Sequence, residues 1–429
     1  MHSYEGLDPQ GGFSRTSLLS PLRQREFRLL WSGMSVSLLG DGVFMVAVAW
    51  QAYEFSDLPT ALSLVGLAMT LPHVALLLLS GIVSDRFARR RVMLVSDIIR
   101  GLSIASIAAL AISDSLTLGH LVVFAAFYGG ATAFFGPAFD AIVPDIVPPG
   151  SLAQANSLDQ LMKPLMLRIG GPALGGVITG VFGLPAAFIF DAATFGVSAL
   201  ALSLMRTDVV HRDVECGPIR AELSAGWRFI RSRVWLWATF GAAAIAYLLF
   251  MGPAEVLLPF IIKSELGGDA TDLGLVFAVG GLGSIVAAIV MGSIQIPRRF
   301  MMFIYASWTL STAAVAGYGL ARASWHLMAA GFAFNFLETA GTIVWITTKQ
   351  RLVPPSLLGR VSSLDWVISI GLMPLSFALT GPVSSLIGVR QTLVGAGVLG
   401  AGVTLAAYFL KGMREVEQPG ASVCEALPA

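Results

Sequence analysis

The stretch GIVSDRFARRRVML, residues 81–94, places one acid and four arginines between two long apolar runs. The chain has barely left one oily segment there before it enters the next. Outward from this point the composition stays apolar: 55% of the 429 residues are hydrophobic, 12% are charged, and the mean hydropathy is +0.77. A soluble chain carries about 25% charged residues, so half that charge at this length points to a membrane protein. The formal net charge of +1 offers no bulk field for nucleic acid or acidic substrates. Cys216 and Cys424 both fall in polar segments assigned below to the cytoplasm, where free thiols are expected.

A hydrocarbon core of about 30 Å takes about 20 mostly apolar residues to cross. Twelve runs meet that length: 29–53, 60–83, 92–112, 118–139, 166–182, 185–204, 234–262, 273–296, 300–320, 326–348, 361–386 and 392–410. The first apolar run exceeds the 7–15 residues typical of a signal-peptide core, so no cleavable signal is expected. Lys and Arg set the orientation. One side holds Arg15, Arg23, Arg25, Arg28, the four arginines of the opening stretch, Lys163, the basic central segment, Arg298, Arg299, Lys349, Arg351, Arg360, Lys411 and Arg414; the other has only Lys263, Arg322 and Arg390. Both termini are therefore expected in the cytoplasm, with the chain multi-pass in the cell's inner membrane. The expected organisation is a cytoplasmic segment 1–28, a six-helix half 29–205, a central cytoplasmic loop 206–233, a second six-helix half 234–410 and a tail 411–429.

The chain also repeats. VPPGSLAQANSLD at 147–159 lies without a gap over VPPSLLGRVSSLD at 353–365, and each copy precedes the fifth span of its half. TALSLV at Thr60 pairs more weakly with TDLGLV at Thr271. Chance likeness between two cytoplasmic loops is the alternative, and the matching topological positions argue against it. Internal repeats are how many transporters build alternating access.

Gly81, Asp85, Arg86, Arg89, Arg90 and Arg91, between spans two and three of a twelve-span chain, resemble the loop found there in the major facilitator superfamily. The usual second glycine is Ala88. The resemblance implies an all-α membrane fold of two pseudo-symmetric six-helix halves. It also implies that Gly81 permits close helix approach and that Asp85 meets the cytoplasmic end of span eleven, near Gly359, Arg360 and Val361, in one conformation. An acid at a helix N-terminus is favoured by the dipole and the unpaired N–H groups. The alternative, a positive-inside anchor, needs neither the glycine nor the aspartate.

GGPALGG at 170–176, with Gly171, Pro172, Gly175 and Gly176, resembles the core of the glycine–proline element that proton-coupled exporters of the superfamily carry in span five. Leu167 stands where an earlier glycine of that element belongs. Ordinary close packing is the alternative, since small residues let helices approach and proline weakens the backbone ladder. FRLLWSGMSVSLLGDGVF, FFGPAFDAIVPDIVP and SLAQANSLDQL resemble the branch holding the enterobactin exporter and the macrolide-efflux proteins. Span four lacks the arginine of many proton antiporters, and Arg100 in span three and Arg168 in span five are the candidates to replace it.

An ionisable residue inside the bilayer costs roughly 2.5–3.5 kcal/mol on insertion scales, so each marks a candidate site. The superfamily resemblance makes spans one, four, seven and ten the cavity lining, which selects Asp41, Glu255 and Glu338 for proton coupling or substrate binding. A carboxyl in an apolar cavity holds its proton more tightly than one in water, which suits proton exchange. Asp97, Arg100, Asp140, Arg168 and Asp365 are read as a charge network near the cytoplasmic span ends that holds the halves together; Asp191 lies nearer the outer end of span six. Phe44, Trp50, Phe134, Phe135, Phe250, Phe334, Phe336 and Trp345 are aromatic candidates for the cavity wall.

An ATP-driven pump needs a phosphate-cradling Gly-Lys-Ser/Thr loop, and none of the four lysines follows a glycine. A membrane enzyme would show clustered histidines or a Gly-x-Ser-x-Gly turn; the five histidines are scattered and no such turn occurs. The expectation is a monomeric, proton-coupled exporter of bulky amphipathic small molecules, with a siderophore exporter as the alternative. It needs no metal or organic cofactor; its partners are the substrate, protons and the lipid bilayer, and not nucleic acid.

Overall fold

A computed structural model describes residues 19–148, 151–206, 226–294 and 297–417. Among them, the side chains of Gly81, Asp85, Arg86, Gly359 and Arg360 lie outside the description, as do Cys216, Cys424 and most of the central segment. Twelve helices of the described residues are long and apolar enough to cross a membrane. In the first half, spans one to four are Arg25–Phe55, Pro59–Arg86, Arg89–Ile112 and Leu118–Ile146. Span five is continuous through Leu152–Lys163, Pro164–Gly170 and Gly171–Phe182, and span six is Leu184–Leu204. The second half holds span seven (Val234–Phe260, extended by Ile261–Glu265), eight (Ala270–Ser293), nine (Phe300–Leu320), ten (Ser324–Leu352), eleven (Pro355–Ile370 then Met373–Ile387) and twelve (Val389–Tyr408).

Three expectations about local structure change. The opening stretch is a tight corner: span two is helical through Arg86, Phe87 and Ala88 turn the chain, and span three begins at Arg89. Much of each repeated segment is also helical rather than loop, from Leu152 in the first copy and from Pro355 in the second, and forms the start of spans five and eleven. Each of these spans then departs from α geometry at the same place in the repeat. The offset from Val147 to Val353 is 206 residues; a π-helical turn starts at Pro164, and the equivalent Ile370 ends the first piece of span eleven. Proline removes a ladder donor, and Gly371 gives the second span its own break. Because span five begins at Leu152, Arg168 moves from an expected span end to the middle of a long helix.

Packing repeats with the sequence. Spans one and six, two and four, three and four, and three and six are neighbours, and their counterparts seven and twelve, eight and ten, nine and ten, and nine and twelve are neighbours too. Span five of the first half packs on span eight of the second, and span eleven packs on span two. At the end away from the termini one apolar core runs through both halves, containing Tyr53, Val65, Phe188, Val256, Leu257 and Leu273. At the termini end there are two cores instead, one around Phe27, Met93 and Phe139 and one around Trp235, Tyr305 and Trp345. The halves are thus joined at the far end and separately packed at the other.

Hydrogen bonds follow the same division. The Tyr53 hydroxyl donates to Val256 O at 2.6 Å, while Lys263 Nζ donates to Tyr53 O at 2.8 Å and pairs with Glu54 at 2.9 Å. These bonds across the halves lie at the far end, and those of Arg168 with Ser284 and Asn335 lie at mid-depth. Among the described residues, the apolar packing is shared between the halves away from the termini and divided toward them.

Candidate transport site

A cavity of about 340 Å³ lies at mid-depth where the halves meet. Span seven contributes Tyr247, Met251, Ala254, Glu255 and Leu258, and span ten contributes Gly331, Phe334, Asn335 and Glu338. Steps of three and four residues bring each set onto one helix face. Span five adds Arg168 and Pro172, and span eight adds Phe277, Gly280 and Gly281. Glycines in span eight permit this crowding: a side chain at Gly281 would run into the Arg168 carbonyl.

Three charged groups face the space. Arg168 reaches across the halves, donating to Asn335 Oδ1 at 3.1 Å and to Ser284 Oγ at 3.3 Å. Glu338 accepts from Thr342 one turn along its own helix at 3.0 Å. Glu255 is exposed to the cavity, and among the described residues it has no hydrogen-bond or ion-pair partner. Two carboxylates and one guanidinium in an aromatic-walled space can hold a cation with apolar flanks, since rings and carboxylates both attract positive charge.

Asp41 does not belong to this cavity. It sits inside the first half, accepting from the Tyr128 hydroxyl of span four and lying 3.7 Å from Arg100. Arg100 pairs with Asp97 on its own helix, and Asp97 also accepts from Ser198 at 2.6 Å. The guanidinium is held between Phe135 and Phe195, 4.7 and 4.6 Å from the ring centroids. Asp191 stands beside this group, fully buried, with Thr194 donating to one carboxyl oxygen at 3.3 Å. This is a polar knot within one half at mid-depth, not a bridge between halves.

The other charged candidates also tie elements within a half. Asp365 accepts from Lys349 and, at 3.2 Å, from Trp345. Asp140 is exposed beside Lys163 and Asp159, which pair with each other at 2.6 Å. Of the expected charge network, Arg168 alone reaches the opposite half among the described residues. In the corner after span two, Arg89 pairs with Asp145 of span four at 2.6 Å and Arg90 donates to Met205 O after span six. The contact expected of Asp85 with span eleven falls on side chains outside the description.

The glycine–proline element sits where it governs close approach. A side chain at Gly171 would meet Gly42 of span one at 2.6 Å, and one at Gly175 would meet Val43 at 2.8 Å. One at Gly176 would meet the Ala270 carbonyl of span eight at 2.8 Å. Span five therefore touches its own half through Gly171 and Gly175, and the opposite half through Gly176. Of the aromatic candidates only Phe250 and Phe334 line the cavity, joined by Tyr247, Phe277 and Tyr318. Phe44 packs on Tyr128 and Phe188, and Trp345 packs on Trp235, Phe240 and Trp308. Asn335, three residues before Glu338, was open to detection as a polar group on the same helix face.

The family model described as transmembrane secretion effector, within the major facilitator superfamily, matches residues 16–425. The chain belongs to that family. It is thus a transporter of the major facilitator type and a multi-pass membrane protein. Among its relatives, the multidrug efflux pump Tap of Mycolicibacterium fortuitum is 26% identical over 88% of this chain and 94% of its own length. Macrolide efflux protein A of Streptococcus pyogenes is 22% identical over 87% and 93%. The fold is shared with a bacterial homologue of the iron transporter ferroportin in its inward-facing state, with a TM-score of 0.67, 15% identity and coverage of 90% of this chain and 99% of that one. A bacterial homologue of the lysosomal transporter Spinster, inward-facing and unoccupied, gives a TM-score of 0.66 at 17% identity over 94% and 99%.

Proposed function

We propose that the chain is a proton-coupled exporter of bulky amphipathic small molecules, cations foremost, of the kind handled by multidrug and macrolide efflux pumps. The observation that carries this reading is the cavity at the junction of the halves. Its volume of about 340 Å³ suits a small-molecule site, and its wall combines Glu255 and Glu338 with Tyr247, Phe250 and Phe334. An anionic siderophore would face two carboxylates against one guanidinium, so the cavity supports a cationic or neutral cargo better. The efflux relatives agree with that class.

The termini are cytoplasmic by the distribution of Lys and Arg, so the divided end is the loading end. Cargo enters from the cytoplasm or inner leaflet and displaces the proton on Glu255. The halves rock, cargo leaves, and a proton from outside reloads the carboxyl. Asp85 at the end of span two latches onto span eleven when the cytoplasmic side closes. Asp41 and Arg100 set the state of the first half during this cycle. One chain supplies every wall of the cavity, which supports a monomeric carrier.

Inside-out vesicles with an acidified lumen test the reading, with ethidium and erythromycin as cargo. Uptake of either compound that stops when nigericin collapses the gradient is expected. Uptake that persists after collapse would overturn the antiport, and absence of uptake of both would overturn the cargo class.

A further inference from the structure

A second concave surface lies outside the transport site. Spans two and three pack closely on span four but only lightly on each other, leaving a groove of about 830 Å³ on the outer face of the first half. Its floor is span four, through Val123, Ala126, Phe127 and Ala131, and its walls include Leu76 and Val95. Small residues on the floor give it depth. Val95, Val123 and Phe127 are 54%, 52% and 59% exposed, so no helix among the described residues covers it.

Among the described residues lining the groove, one polar side chain is free. Ser96 in its lining is buried and donates to Ala131 O at 2.7 Å. Arg91, in the first turn of span three, lies at the termini end of the groove and is exposed. Its neighbours are engaged, Arg89 with Asp145 and Arg90 with Met205 O. Arg91 itself has no hydrogen-bond or ion-pair partner among the described residues. A planar guanidinium forks naturally onto phosphate oxygens.

Depth identifies the occupant. From Phe87 at the span end to Pro72 is fifteen residues, about 22 Å at 1.5 Å per residue. One leaflet including its headgroup region is about 20–22 Å deep, half the bilayer's ~40–45 Å. The groove therefore runs through one leaflet, with its positive charge where the headgroups lie and apolar walls below. We propose that it is a binding site for a phospholipid of net negative headgroup, with Arg91 on the phosphate and an acyl chain along span four. A zwitterionic lipid carries its own ammonium group beside the phosphate and competes with Arg91 for it. The amphipathic cations proposed as cargo would be repelled by the same residue.

Native mass spectrometry of the purified full chain, with phosphatidylglycerol or phosphatidylcholine added, tests the site. Wild type is expected to retain one phosphatidylglycerol in preference to phosphatidylcholine. Arg91→Gln is expected to lose about fivefold in phosphatidylglycerol retention, the effect of one basic group at the membrane surface, and Ala126→Phe, which fills the floor, to retain neither lipid. Equal retention of the two lipids by wild type overturns the proposal, as does wild-type retention by either variant. Displacement of the bound lipid by tetraphenylphosphonium also overturns it, since that outcome makes the groove an entrance for cargo. Ala126→Phe decides the matter alone if Arg91→Gln fails to fold, and this readout is independent of transport.

Discussion

Glu255 and Glu338 face one cavity, but Glu338 shares its charge with Thr342 while Glu255 keeps its own. Replacing Glu255 by Gln is therefore expected to lower gradient-driven cation uptake by tenfold or more, whereas Glu338→Gln lowers it less; initial rates in vesicles rank the two. The polar knot in the first half calls for a different measurement. Arg100 stands between Asp41 and Asp97, and removing one partner of a buried ion pair costs about 3–5 kcal/mol. Arg100→Met should lower the melting temperature sharply and reduce the folded yield. Asp191→Asn should be tolerated, because one oxygen of that carboxyl accepts from no group among the described residues. Thermal unfolding in detergent checks both.

At the scale of elements, span five is the piece shared between the halves. Gly176 meets span eight with no space for a side chain, so Gly176→Val is expected to part the far ends of spans five and eight. A cysteine placed at Gly180 should then react faster with an impermeant thiol reagent added from the far side. Tyr53→Phe removes the hydroxyl that holds span one to span seven. A hydrogen bond contributes about 0.5–1.5 kcal/mol, so the balance between open states should shift about two- to tenfold toward opening at the far end, as read by the same labelling. The departures from α geometry at Pro164 in span five and after Ile370 in span eleven are symmetry-related.

For the whole molecule, one shared core at the far end and two separate cores at the termini end define a single state of a rocking carrier. Locking that state should stop transport. Gly180 and Thr271 approach closely across the halves, with a side chain at Gly180 2.9 Å from Thr271 Oγ1. With Cys216 and Cys424 replaced by serine, the pair Gly180→Cys and Thr271→Cys is expected to crosslink on oxidation, abolish uptake, and recover on reduction. Uptake that continues in the crosslinked protein would show that the far end need not open.

The sequence alone determined the number of spans and the repeat at 147–159 and 353–365, and it singled out Arg168, Glu255 and Glu338 as ionisable groups within spans, because length, hydropathy and charge are properties of the chain itself. Only the tertiary structure decided which way each residue faces. It moved Asp41 from the cavity into the first half, made helical the repeated segments from Leu152 and Pro355 onward, turned Phe44 and Trp345 into packing residues, and gave Gly176 its contact across the halves. In a soluble helix a polar stripe marks the outward face. In a membrane the outward face meets lipid and is as apolar as the core, so that stripe is missing and facing is settled by packing between helices.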